Sequence, residues 1–248
     1  MVAPTERDPL VPEPTPVRIN LGAGLQAAPG WINYDRSRSA FVARLPAADI
    51  LMRLAFTVGL VQKPRVLAWP KTTCVRDLTR GIPHADNSVD VVYSSHMLEH
   101  LPPDQAQFIL QDAFRVLRPG SVLRLVVPDL ASAVQAYLNG DHAYFHAPGV
   151  PIADAFMTTF YDRAQVPRGS IERLMRGILR TEDGGHKWMY DAESLRYRLE
   201  RASFIEIQQV RRGEGREPSA AGLDSRSAHG LHFEAIKPRS TRRPSSRE

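Results

Sequence analysis

The stretch Val17-Arg18-Ile19-Asn20-Leu21-Gly22-Ala23-Gly24, closed by Trp31-Ile32-Asn33-Tyr34-Asp35, decides how the rest of the chain is read. Val17 to Leu21 has the make-up of a buried parallel strand, and Gly22 and Gly24 form a turn behind it. Residues 31–35 make a second short strand that ends in a carboxylate. Glycines at 22 and 24 let backbone amides approach a ligand that any Cβ would hold off. An acid at the tip of the next strand can accept both hydroxyls of a ribose. The stretch therefore predicts a nucleoside pocket at the edge of an open sheet.

Outward from it, apolar periods alternate. Residues 47–61 place Ile50, Leu51, Leu54, Ala55 and Leu60 at helical spacing, and Pro64 ends the period. Residues 72–78 are a β-branched run capped by Asp77, which predicts a third strand. Residues 81–88 are turn chemistry, and Val89-Asp90-Val91-Val92-Tyr93-Ser94-Ser95 is a fourth, largely buried strand. Pro102 and Pro103 open a helix through Leu117, striped by Ala106, Ile109, Leu110, Ala113, Val116 and Leu117. Pro119-Gly120 stops it ahead of a fifth strand, residues 122–128. This alternation builds a parallel sheet with right-handed crossovers. Residues 140–185 interrupt it with two helical segments, 152–163 and 170–180, and predict an inserted helical cap. Asp191 is a good N-cap for a helix over 192–202 that buries Leu195, Tyr197, Leu199 and Ala202. Residues 204–210 and 231–236 form the closing antiparallel pair across a polar loop.

The 248 residues, 43% of them hydrophobic, suffice for one sizeable α/β domain over 17–238, between disordered ends at 1–16 and 239–248. Pro4, Pro9, Pro12, Pro14 and Pro16 favour extended chain at the start. No apolar run approaches the roughly 20 residues that span a bilayer, and a signal-peptide layout is absent from the start. With Cys74 as its single cysteine, the chain forms no internal disulfide and no cysteine-based zinc site. A cytoplasmic protein is the expectation. The net charge of +5 does not point to nucleic acid, because four arginines against one glutamate put +3 of it in residues 239–248.

Two nucleoside classes fit a glycine turn followed by an acid. A dinucleotide site wants a third glycine at a helix N-terminus and its acid about 20 residues on. Here Ala27 holds the third position, and Asp35 follows Gly24 by only 11 residues. That interval has no room for a full helix and strand, so nothing is left to hold a pyrophosphate. A phosphate-free nucleoside such as S-adenosylmethionine fits better, and an NAD-dependent reductase is disfavoured.

The same residues resemble a known family. Leu21-Gly22-Ala23-Gly24 with Pro29-Gly30-Trp31-Ile32-Asn33-Tyr34-Asp35 is similar to the cofactor motif of class I S-adenosylmethionine-dependent methyltransferases, in the type 11 style. Asp77-Leu78, the run Asn87 to Leu101, Arg115-Val116-Leu117-Arg118-Pro119-Gly120, and His186-Lys187-Trp188-Met189-Tyr190-Asp191 follow in the family's order. The resemblance implies a Rossmann-like α/β fold with a mostly parallel sheet, a C-terminal antiparallel hairpin and a helical insertion. It implies that Gly22 and Gly24 line the methionine and ribose moieties, with Asn20 where the family usually has an acid. Asp35 would hold the ribose hydroxyls and Asp77 the adenine amino group, with Leu78 as backbone contact and apolar cover. Ser94 and Ser95 would border the sulfonium. Ser121 stands where a second glycine is common.

His96-Met97-Leu98-Glu99-His100 also matches H-x-x-E-H, a zinc-peptidase pattern, with Glu172 as a conceivable third ligand. The motif follows a strand directly and runs into Leu101-Pro102-Pro103, which leaves at most one helical turn, so no metal is expected. Methyl transfer asks the protein to align donor and acceptor, exclude water and, for a hydroxyl acceptor, remove a proton. His96, His100 and His186 are the base candidates, His96 first, with Asp129 as another. Trp188 or Tyr190 could face the cationic methyl, or simply pack in the core. The cap offers Tyr144, Phe156, Phe160, Tyr161, Arg163 and Arg173 to an acceptor, although a packed helix pair would look the same. A stripe of Ile171, Leu174, Met175 and Ile178 reads as core. The expected partner is a small-molecule acceptor, a sugar or glycosylated metabolite first, with N- or C-methylation, a non-catalytic binding module and a homodimer left open.

Overall fold

Arg18–Leu21 (β1), Ile32–Asp35 (β2), Cys74–Val75 (β3), Val89–Ser95 (β4) and Leu117–Pro128 (β5) form the parallel part of the fold. Ile205–Val210 (β6) and Gly230–Ile236 (β7) complete a seven-stranded sheet in the order β3-β2-β1-β4-β5-β7-β6. β7 runs antiparallel to both β5 and β6. The computed structural model describes residues 15–57, 68–160, 185–224 and 230–239. Within them lie seven α-helices: Arg38–Ala43 (α1), Ala48–Thr57 (α2), Pro103–Val116 (α3), Leu130–Leu138 (α4), Ile152–Phe160 (α5), Ala192–Arg201 (α6) and Pro218–Ala221 (α7). The expected Rossmann-like architecture, mostly parallel with an antiparallel C-terminal hairpin and helices inserted after β5, is present.

Strand alternation gives the sheet two different faces. Ile19, Leu21, Val92, Leu123, Leu125 and Phe233 point to one, where α3 and α6 bring Ala106, Ile109, Leu110, Leu195 and Leu199 into a single apolar core. α3 forms there because Pro103 suits its first turn and Asp104 and Arg115 complement its two ends. α6 is set by a capping box in which Asp191 accepts from the Ser194 amide and Ser194 answers the Asp191 amide. The other face carries a polar row read straight across the register: Asn33, Asn20, Tyr93, Arg124 and Glu234. All five are buried, Arg124 completely. Loops and the one-turn helix α7 cover this row. Residues 211–224 reach across it, with Arg124 donating to Asp224, to Glu234 Oε1 at 2.8 Å and to the Glu214 carbonyl at 2.8 Å. The Tyr93 hydroxyl donates to the Leu223 carbonyl at 2.9 Å, and Trp31 packs edge-on against its ring.

Several boundaries differ from the sequence reading. β3 is only two residues long, and Asp77 instead caps the 3₁₀ turn Leu78–Arg80. β5 begins at Leu117, immediately after α3. Pro119-Gly120 therefore lies inside the strand, where the Gly120 amide reaches the Lys237 carbonyl at 2.7 Å. α4 was not foreseen: Asp129 accepts from the Ala131 amide and starts a helix rather than ending the strand freely. Tyr197 is exposed, because Leu195 and Leu199 share the buried side of α6 and the intervening position faces away, near Arg201. Ile50 and Leu54 on α2 are exposed as well, at 63% and 57%. The Leu51, Ala55 and Leu60 side chains and Pro64 lie outside the described residues. So do the expected second cap helix with Glu172, Tyr161, Arg163 and Arg173, and nearly all of the segments 1–16 and 239–248.

Candidate active site

The strand order reverses between β1 and β4, and ligands of open α/β sheets sit beyond strand carboxyl ends at such a point. β1 delivers Gly22 there and β4 delivers Ser94, Ser95 and His96. Gly22 has φ +71, and a Cβ built on it would stand 2.5 Å from Met97 Cγ. Glycine is thus required twice over, by conformation and by space. The turn folds back onto β2: the Gly22 and Ala23 amides both donate to the Tyr34 carbonyl at 2.9 Å. Residues 22–31 contain no helix.

Asp35 is held by two backbone amides, Gly24 to Oδ2 at 2.9 Å and Ser37 to Oδ1 at 2.8 Å. An ionised carboxylate has about four acceptor sites, so this clamp leaves capacity on both oxygens for a vicinal diol. Asp77, two residues past β3, accepts from the Thr79 amide and hydroxyl through Oδ1, at 3.1 and 2.7 Å. The Thr79 hydroxyl, chiefly, holds the Asp77 pKa below the usual aspartate value. Leu78 beside it is buried.

Asn20, expected at the cofactor site, is paired with a second amide. Asn33 Nδ2 donates to the Ala28 and Trp31 carbonyls, and its Oδ1 accepts from the Ala28 amide, which fixes the orientation of that side chain. Asn20 must then present Nδ2 to Asn33 Oδ1, and does so at 3.0 Å. An amide, not an acid, is what this position requires. A cavity of about 280 Å³ opens beside it, lined by Asn20, Gly22, Ala28, Tyr93, Ser95 and Leu223 among others. The cavity lies against the loop-covered face and does not include Asp35 or Asp77. The glycine turn is common to both.

Several titratable side chains follow the carboxyl end of β4. His96 has φ +52 and is pinned by its amide to the Val126 carbonyl at 2.9 Å. Its Nδ1 lies 3.1 Å from Oε1 of Glu99, whose side chain is wholly buried. Neither His96 Nε2 nor Glu99 Oε2 has a hydrogen-bond partner among the described residues. The segment from His186 to Tyr190 is stitched over this turn. The amides of Lys187 and Trp188 donate to the Glu99 carbonyl, at 2.7 and 3.1 Å, and the His186 amide to the Phe160 carbonyl of α5 at 2.8 Å. The His100 and His186 rings consequently meet edge-to-face at 5.1 Å. Tyr190 is fully buried, and burial pushes its phenol up to about 12. Trp188 is largely exposed, and Asp129 serves as the N-cap of α4. The three expected histidines therefore gather around Glu99, while the glycines, Asp35 and Asp77 follow the carboxyl ends of β1, β2 and β3. Glu99 and Met97 went unassigned in the sequence reading. A buried acid between two histidines was the only available signal for the first, and nothing marked the second.

Residues 54–125 match a family model described as "Methyltransferase domain". An uncharacterized methyltransferase of Synechocystis sp. is 34% identical over 77 residues, which cover 29% of this chain and 36% of that protein. The chain thus spans little more than a third of that relative. Among solved structures, a SAM-dependent methyltransferase from Archaeoglobus fulgidus is similar over 90% of this chain and 86% of its own, at 11% identity and a TM-score of 0.46. Another from Thermotoga maritima, described as a possible histamine N-methyltransferase, is similar over 92% and 84%, at 14% identity and a TM-score of 0.42. No described helix is long and apolar enough to cross a membrane.

Proposed function

We propose that this chain, whose residues 54–125 carry the methyltransferase-domain match, is a class I S-adenosylmethionine-dependent methyltransferase acting on a small molecule, a hydroxyl of a sugar or glycosylated metabolite being the first candidate. The observation that carries the reading is the Asp35 clamp, a carboxylate fixed at the β2 tip with acceptor capacity to spare, beside a glycine turn that no helix follows. That combination suits a ribose and offers nothing to a pyrophosphate. In this reading Asn20, Gly22 and Gly24 line the methionine and ribose moieties, Asp35 takes the diol, and Asp77 with Leu78 takes the adenine. Ser94 and Ser95 border the sulfonium. The bound cofactor supplies an electrophilic methyl group with a good leaving group already in place.

The chain's own contribution is alignment, exclusion of water and disposal of a proton. Met97 packs over Gly22, so His96 begins one residue from the cofactor side. With the Glu99 carboxylate as acceptor, His96 Nδ1 carries the ring proton, and Nε2, buried and without a partner among the described residues, keeps a lone pair for the proton an acceptor hydroxyl gives up. Glu99 then stabilises the imidazolium that forms. His100 and His186 are the neighbouring base candidates. The helices α4 and α5, with Tyr144, Phe156 and Phe160 between them, support a role for the insertion in choosing the acceptor. Cys74, exposed on β3, fits a reducing compartment, and we place the activity in the cytoplasm.

The test is incubation with isotope-labelled S-adenosylmethionine over a panel of sugars, phenols and amines, followed by mass spectrometry. A methylated product is expected, and His96→Gln should lower its formation by about 10²- to 10⁴-fold, with cofactor affinity changed only a few-fold. Unchanged turnover would remove His96 from the mechanism. Absence of transfer both to the panel and to fractionated cell extract given the same labelled cofactor would remove the enzyme reading.

A further inference from the structure

We propose that Glu99, His100 and His186 form a binding site for a divalent transition-metal ion of the zinc type. One ligand atom from each lies within 4.8 Å of the others. Bonds of roughly 2.0–2.2 Å in a tetrahedral shell put two ligand atoms about 3.4 Å apart, so movements of up to about 0.7 Å by each side chain close the shell. The donor set, two imidazoles and a carboxylate, is the one that selects zinc or iron over magnesium or calcium.

Three further observations converge on this place. The Glu99 side chain is wholly buried with Oε2 unpartnered among the described residues, and a buried carboxylate oxygen without a donor calls for a cation or a proton. His96 Nδ1 meets the other oxygen at 3.1 Å, the outer contact that orients a metal-binding carboxylate. The backbone already fixes the ligands to one another. The Lys187 and Trp188 amides donate to the Glu99 carbonyl, and the His100 amide donates to the Met97 carbonyl at 3.1 Å. His100 and His186 are each part-exposed, so a fourth coordination position can stay open, as in catalytic rather than structural zinc sites.

This differs from what the H-x-x-E-H spacing suggests. The spacing pairs His96 with His100, whereas the 3₁₀ turn Leu98–His100 sends His96 to the carboxylate and leaves the second imidazole to come from residue 186. Metal binding does not depend on the methyl-transfer reading. Where that reading holds, the ion offers a position for an acceptor oxygen, whose proton it makes easier to remove. His100 and His186 are then ligands, and His96 alone remains as base.

The experiment uses the untagged full-length chain, stripped with a chelator and titrated with zinc by calorimetry and with cobalt by visible absorption, with no cofactor present. One equivalent of zinc and cobalt ligand-field bands are expected. His96→Ala should weaken binding about 10- to 100-fold, the usual effect of losing an outer partner, and His100→Ala and His186→Gln should weaken it more. His146→Ala, exposed in the loop between α4 and α5 and outside the ligand cluster, should leave it unchanged. Glu99→Gln tests the carboxylate. Should its burial prevent folding, His186→Gln at a part-exposed position decides alone. Absence of a stoichiometric site, or uptake indifferent to His186→Gln, overturns the proposal whether or not the protein methylates anything.

Discussion

Ile19 and Asn20 are neighbours on β1 and face two different kinds of interior. Ile19 enters the apolar core closed by α3 and α6, where fit is a matter of volume. Asn20 enters the polar row that runs from Asn33 to Glu234 beneath loops 22–31 and 211–224, where fit is a matter of matched donors and acceptors. A volume-matched core tolerates isosteric exchange, whereas a buried network is costly once a single partner is missing. The division also explains where a ligand site can form. The long helices α3 and α6 pack on the first face, and loops over the second bring backbone amides and carboxylates to the strand tips, Gly24 and Asp35 among them.

The comparison breaks most easily at Arg124. Arg124→Met leaves Asp224 and Glu234 as uncompensated buried carboxylates and should cost about 3–5 kcal/mol. Leu123→Met, one residue away on the helix-covered face, should cost less than about 1.5 kcal/mol. Urea unfolding of both variants tests the contrast, and equal losses would erase the distinction between the faces.

A sharper test is Asn20→Asp, which restores the acid common in the family. The new carboxylate would confront Asn33 Oδ1, an acceptor that the Ala28 amide and two carbonyls prevent from turning. A loss of about 1–3 kcal/mol is expected, measured as a lower unfolding midpoint. A more stable variant would mean that the amide pair is not what holds β1 to β2.

The smallest effect concerns the cap that starts α6 on the apolar side. Asp191→Ala should cost about 1 kcal/mol at neutral pH. The Ser194 backbone amide, chiefly, holds the Asp191 carboxyl below its usual 3.8. Because the folded-state value is the lower one, the cap's contribution is complete above the unfolded value and is lost as pH falls through the folded one. The difference between wild type and variant should therefore be constant near neutrality and close in acid. A gap that widened in acid would contradict the cap.

Much of this was legible in the chain itself, for identifiable reasons. Gly22, Gly24 and Asp35 stand close in sequence, so their spacing alone predicts a turn and an acid at adjacent strand tips. α3 and α6 announce themselves through Pro103, Asp191 and their apolar stripes. What depended on register stayed hidden. The Asn20–Asn33 and Tyr93–Arg124 pairs exist only once strands are aligned, and an arginine in a fifth strand gives no hint that it will be wholly buried. The same holds for Glu99 and His186, brought together because the Lys187 and Trp188 amides donate to the Glu99 carbonyl across distant segments. Asp129 looked like a free acid past a strand, and only the emergence of α4 shows it to be a cap.

The most direct measurement is calorimetric titration of the purified chain with S-adenosylmethionine, its demethylated product and NADH, repeated on Asp35→Ala with folding monitored by circular dichroism. The account predicts one site per chain for the first two ligands and none for NADH. It also predicts a loss of about 1.5–3 kcal/mol in affinity, roughly ten- to a hundredfold, when the Asp35 carboxylate is removed. Tight NADH binding, no heat with S-adenosylmethionine, or a folded Asp35→Ala that binds as well as wild type would contradict it.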